Sequence, residues 1–240
     1  MNHSIQTISL LSLTIAFIPV FIVIVILYQW SRGHKHALYG VSRMLVQLLV
    51  IGYFLAYLFQ SDSAWLVLTV LSVMVFASGW IALGSIPEKQ RLFYSKALIA
   101  LFVGGGINLV LITQGVLGLD PWYRPSYFIP LAGMIFANAM NSVSLAAERF
   151  LSECERGLSY NEARNIAFRS SLIPITNSLF AVGLVSLPGM MTGQILSGIS
   201  PLIAARYQIM VMCMIFGAAG ISSALFLNQV KPWFYEKRGT

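Results

Sequence analysis

The sequence predicts an all-α integral membrane protein with seven transmembrane helices, its N-terminus outside and its C-terminus in the cytoplasm. Three observations lead there. Of the 240 residues, 58% are hydrophobic and only 10% charged, with a mean hydropathy of +0.78, whereas a soluble domain carries about 25% charged residues. Apolar runs long enough to cross a bilayer, about 20 residues each, recur along the chain. The basic residues between those runs gather in alternate loops.

Apolar runs and the turn or charge signals between them place spans at residues 8–28, 38–59, 64–83, 94–114, 127–147, 171–187 and 202–227. Each is a helix, because an open strand would leave backbone polar groups unpaired in lipid. The first run is too long for a signal-peptide core and lacks a charged region before it, so it counts as a span. No soluble domain, long linker or internal repeat interrupts the series, so residues 1–240 are expected to form a single transmembrane domain.

The loops set the orientation. Arg32 and Lys35, then Lys89, Arg91 and Lys96, then Arg149, Arg156, Arg164 and Arg169, then Lys231, Lys237 and Arg238 all fall on one side. The other side holds only Arg124, and Arg43 and Arg206 lie inside spans. Basic loops stay in the cytoplasm. The net charge of +7 is therefore a topology signal. Spread singly over loops, these residues form no basic helix or aromatic platform for nucleic acid. Cys154 and Cys213 are expected to be free thiols.

Residues 187–198 do not read as a plain span. They are apolar, glycine-rich and uncharged, and Pro188 with Gly189 should end the sixth helix. The stretch up to Pro201 is too short to cross. It is expected to be a short re-entrant or interfacial segment, packed on protein or lining a cavity; an apolar external turn is the plainer alternative.

Catalytic motifs are missing. No glycine is followed by lysine, so the chain has no P-loop, and it has no H-E-x-x-H and no Ser/His/Asp set. His3, His34 and His36 sit in loops or at span ends. The expected protein is not an enzyme and needs no cofactor. The largest cytoplasmic loop, residues 148–168, mixes four glutamates with arginines. It reads either as a docking face for a soluble partner or as a solvated connector with ion pairs four residues apart.

Intramembrane polar residues default to function or to glue between helices. They include Arg43 and Gln47, Asn108, Asn138 and Asn141, Asn177, Gln194, Arg206 and Gln208. Asn138 and Asn141, three apart, are expected on one helix face. Every carboxylate is expected in a loop or tail, which leaves the core with amides, hydroxyls, carbonyls and thioethers, Met134, Met190 and Met191 among them. A tightly held hard cation would want carboxylate oxygen.

Several strings carry a family resemblance. They are Phe128-Ile129-Pro130-Leu131-Ala132-Gly133-Met134-Ile135 with Asn138-Ala139-Met140, the run from Gly183 through Leu187-Pro188-Gly189-Met190-Met191-Thr192-Gly193 to Gly198, and Arg43 with Gln47-Leu48. Together they resemble the FetB family of ABC-transporter permeases, which also includes plant aluminium-tolerance permeases and for whose bacterial members iron is the proposed export substrate. The resemblance covers nearly the whole chain. It implies a permease homodimer in the inner membrane, joined to two separate ATP-binding subunits that drive export. It also implies that the large loop couples to the ATPase, through Glu155, Gly157, Glu162 and Ala163.

The expected transport path draws on Arg43, Gln47, Met134, Asn138, Asn141, Asn177, Met190, Met191, Gln194 and Arg206, with no metal ligand assigned. Two other readings stay open. One is export of an anionic solute, a chelated metal or a nucleotide-sugar. The other is a stand-alone channel or secondary carrier.

Overall fold

A computed structural model describes residues 9–31, 33–60 and 63–238. His3, the first residue of the first expected span (Ile8), Arg32 and Asp62 lie outside the described residues. The described residues form helices joined by turns and short loops and contain no strand. Among the described residues, six helices are long and apolar enough to cross a membrane: Ser12–Trp30, His34–Leu55, Ala64–Ala82, Gln90–Val116, Pro125–Glu155 and Pro201–Glu236. The chain divides into two compact units, Met1–Ser61 and Asp62–Thr240.

The first unit holds α1 (Leu10–Ile15), α2 (Phe17–Trp30) and α3 (His34–Leu58). Ser9 caps α1 by accepting from the Ser12 amide. Where α2 turns into α3, the rings of Tyr28 and His34 meet edge-on at 4.9 Å. Arg43 and Gln47 are exposed on α3.

The second unit is a helical bundle of α4 (Ala64–Ala82), α5 (Gln90–Val110), α6 (Pro125–Glu155), α7 (Tyr160–Ala181), α8 (Gly189–Leu196), α9 (Pro201–Gln229) and α10 (Lys231–Arg238). A π-helical turn, Leu111–Val116, extends α5. The central helix α6 packs on α4, α5, α7 and α9, while α5, α7 and α8 also pack on α9. Small residues let the backbones approach, as is usual where helices associate in lipid. A Cβ on Gly104 of α5 would lie 2.8 Å from the Ser222 backbone nitrogen of α9. Between α6 and α7, the Ser142 hydroxyl donates to the Ser171 carbonyl at 3.1 Å.

Three expectations need correction. The sixth helix does not occupy 171–187. It starts at Tyr160 and ends at Ala181, because Gly183 takes φ +83° and the amides of Leu184, Val185 and Ser186 all fold back onto the Ala181 carbonyl. Pro188 instead caps α8, an eight-residue helix of about 12 Å, far short of a bilayer core. Nor is 148–168 a loop. Helix α6 runs on to Glu155 and α7 begins five residues later, so Glu148, Glu153 and Glu155 are helical residues, contrary to the reading that every acid sits in a loop or tail.

The turn between α6 and α7 has a complete local explanation. The Gly157 amide donates to the Cys154 carbonyl and the Leu158 amide to that of Glu153. These are the two bonds of a Schellman motif. That motif needs a left-handed residue after the helix, and Gly157 supplies it at φ +87°. Two residues on, Ser159 and Glu162 form a capping box that starts α7. One helix is thus stopped and the next started within four residues.

Candidate functional site

Within the second unit, the α4–α5 turn, the end of α6 and the start of α10 lie together at one end. They enclose a cleft of about 400 Å³ lined by Ser85–Lys89 with Glu148, Leu151, Ser152, Cys154, Glu155 and Trp233. Three of the chain's eight acids, Glu88, Glu148 and Glu155, line it beside Lys89. Beneath it lies an aromatic cluster. The Phe150, Tyr160 and Phe234 rings sit about 6 Å apart in every pairing, and the buried Tyr160 hydroxyl donates to the Leu227 carbonyl at 2.9 Å. Burial raises the pKa of Tyr160, against the opposing pull of the Arg164 guanidinium. Lys89 lies over Trp233, and Arg164 and Lys231 over Tyr160, each a cation–π contact.

Glu153 is the residue that sequence reasoning missed here. It is 2% exposed and receives Arg149 at 2.6 Å and Arg156 at 3.3 Å. The signal was present as arginines four residues before it and three after, a spacing that puts all three on one helix face.

The residues expected to couple to an ATPase have different surroundings. Glu155 lines the cleft. Gly157 is the left-handed stop of α6. Glu162 accepts from the Ser159 hydroxyl and amide, and these bonds hold its carboxyl below the ordinary glutamate range. Ala163 is fully buried, so it supports the turn from below and offers nothing to a partner.

A second cavity, of about 350 Å³, lies between α6, α7, α8 and α9. Met134 and Asn138 line it from α6, Ile175 and Ser178 from α7, Gly189 and Met190 from α8, and Gln208, Met212 and Ile215 from α9. The Asn138 amide group donates to the Met134 carbonyl at 2.8 Å, so its Oδ1 remains as an acceptor. Gln208 is 6% exposed, and its Oε1 has no hydrogen-bond partner. Pro174, next to Ile175, removes one backbone donor and frees the Ser170 carbonyl from the helix ladder.

Of the residues assigned to the transport path, the structure brings Met134, Asn138 and Met190 together in this cavity. Asn141 and Asn177 are exposed on α6 and α7, as is Arg206 on α9. The shared face expected for Asn138 and Asn141 therefore does not extend to the cavity. Met191 and Gln194 lie on α8 away from the lining. Arg43 and Gln47 belong to the first unit. Gln208, among the intramembrane amides but outside the assigned path, joins the lining with Met212. Their spacing of four on one helix was the available signal.

A chain whose described residues build six such apolar helices, with a largely apolar cavity between four helices that holds a few amides and hydroxyls, is a multi-pass membrane protein. It belongs to the uncharacterised protein family UPF0014, whose model matches residues 10–235. Its relatives include the "Probable iron export permease protein FetB" of Escherichia coli (strain K12), 36% identical, with 95% of this chain aligned to 92% of the relative. A UPF0014 membrane protein of Synechocystis sp. is 38% identical over 79% of this chain and 80% of its own length. "Protein ALUMINUM SENSITIVE 3" of Arabidopsis thaliana is 32% identical over 92% and 86%. The family resemblance read from the sequence is borne out. No solved structure matches the chain.

Proposed function

We propose that this chain is the permease subunit of an ATP-driven metal exporter in the cell's inner membrane. It would act as a homodimer with two copies of a separate ATP-binding subunit. The observation that carries the reading is the arrangement of α6, α7 and α9. These helices line the inner cavity and also build the charged end through the α6–α7 turn and the Tyr160–Leu227 bond. A push at that end is delivered to the helices around the cavity. Iron is the first substrate to test, from the printed name of the Escherichia coli relative.

Chain parity supports seven crossings. The end of α4, the end of α6 and Trp233 beyond α9 share one cleft, which supports a reading in which α7 returns the chain across the membrane between α6 and α9. The charge bias then makes this end cytoplasmic, with the N-terminus outside, all 240 residues forming one transmembrane domain and α8 a short re-entrant or interfacial piece. Asn141 and Asn177 support the homodimer. An amide facing lipid is unfavourable, and a second permease would cover it.

The acidic cleft and the adjoining turn are the ATPase contact in this reading, with Glu155 in the interface and Gly157, Glu162 and Ala163 shaping it. The test is co-purification. Reversing Glu88, Glu148 and Glu155 to lysine should release the ATP-binding subunit while the permease stays folded. Retention of the partner would count against the contact. A chain that never associates with an ATPase would favour a stand-alone channel or carrier.

A further inference from the structure

We propose that the cavity between α6, α7, α8 and α9 is a binding site for a soft monovalent cation of the copper(I) and silver(I) class, held by the thioethers of Met134, Met190 and Met212. The inference rests on the reading that a bare metal ion crosses this chain, and it narrows which one.

Two independent arguments meet at this site. The first is ligand softness. Three of the thirteen lining residues are methionines, contributed by three different helices. Thioether sulfur prefers soft ions, whereas magnesium, calcium and manganese prefer carboxylate and water. Methionine often serves only as core filler. Here Met134 and Met190 are half-buried beside open space, and only Met212 is sequestered.

The second argument is charge. No Asp, Glu, His or Cys lines the cavity, and among the described residues no group of these side chains is placed to hold a metal. A cation entering this lining finds no counter-charge. The cost of desolvating an ion rises with the square of its charge, so a neutral lining favours a monovalent ion over a divalent or trivalent one. Neutral donors are still needed, and they are present. Gln208 is buried with an unpartnered Oε1, and the Asn138 Nδ2 is already committed, which leaves its oxygen free to accept. A carbonyl-type oxygen without a donor in a low-dielectric site is costly to leave unmatched, and a cation supplies the match.

Silver(I) is the practical probe because it does not change oxidation state. Cys154 and Cys213 are in no disulfide, and their thiols would also take silver, so the background carries Cys154→Ser and Cys213→Ser. The full chain, purified without any ATPase, is dialysed against silver nitrate in chloride-free buffer, and bound metal is counted. One silver ion per chain is expected. Met134→Leu, Met190→Leu and Met212→Leu each conserve volume. Each should weaken binding, and the triple variant should weaken it at least about tenfold. Manganese(II) and magnesium(II) in large excess should not displace the silver. Triple-variant binding equal to the parent's, or displacement by manganese at equal concentration, overturns the proposal. Since the single variants test each sulfur separately, a misfolded triple variant does not decide the matter. The assay contains no ATP-binding subunit, so its failure leaves the permease reading standing, and failure of ATPase co-purification leaves this result standing.

Discussion

Gly104, Gly105 and Gly106 are consecutive on α5 and meet three different surroundings, so one methyl group should act differently at each. A Cβ on Gly104 would lie 2.8 Å from the Ser222 nitrogen and 3.0 Å from its Cα. Both are backbone atoms of α9, so the helices must part. At Gly105 the neighbours are the side chains of Phe136 and Ile135, which can shift, and at Gly106 nothing lies within 4 Å. Replacing glycine by alanine in a helix interior gains up to about 1 kcal/mol of propensity. Overpacking costs about 1–3 kcal/mol. Gly106→Ala should therefore be neutral or slightly stabilising. Gly104→Ala should lie about 1–3 kcal/mol below it, a gap of several degrees in Tm at roughly 2–4 °C per kcal/mol for a chain of this size. Gly105→Ala should fall between them. Thermal unfolding of the three purified variants in one detergent reads the order directly. Equal Tm values for Gly104→Ala and Gly106→Ala would refute the close α5–α9 packing.

Glu153→Ala removes a buried carboxylate from two arginines. The loss should be about 1–3 kcal/mol, discounted because Arg149 is 38% exposed, while Arg156→Ala, at 63% exposure and 3.3 Å, should cost far less. The reverse order in a thermal melt would show the pairing to be misassigned. The Glu162 cap should be sensitive to acid. Its folded pKa lies below the ordinary value, so its contribution is present above the glutamate range and is lost as pH falls through the folded pKa. The Tm difference between the wild type and Glu162→Gln should shrink on acidification, and a pH-independent difference would contradict the cap. For topology, single cysteines at Ser63 and Ser126 should react with an impermeant thiol reagent in intact cells, and those at Ser95 and Asn161 should not. Labelling at Asn161 from outside would invert the orientation.

Much of this fold was legible because lipid leaves a chain few choices. Six runs of apolar residues became six long helices, since nothing else satisfies their backbone. The sixth run misled because the polarity of α7 changes along its axis, from a charged first half to an apolar second half. Its first half carries Glu162, Arg164 and Arg169, and its apolar half is cut short by Gly183, whose left-handed turn leaves no hydropathy signal. The α6–α7 turn was written in Gly157, Ser159 and Glu162 as a stop followed by a cap, yet the charge around it suggested a loop. At the cavity, Met134 and Asn138 stood out as polarisable or polar residues in a span, and Met190 in the short segment after it. Gln208 and Met212 needed the packing of α9 against α6 before they could be told from the amides and thioethers that face elsewhere.

The central claim is that an ATP-binding subunit works on this chain to move a metal through the α6–α9 cavity. The direct measurement is ATP hydrolysis by the reconstituted two-plus-two complex, with and without ferrous iron and with silver(I) as the soft comparator, in the parent and in the Gln208→Leu variant. Metal should raise hydrolysis in the parent, silver(I) more than ferrous iron. Gln208→Leu should diminish that rise, with subunit association unchanged. Hydrolysis that ignores both metals, or that a nucleotide-sugar or an anionic iron chelate stimulates instead, would contradict the account.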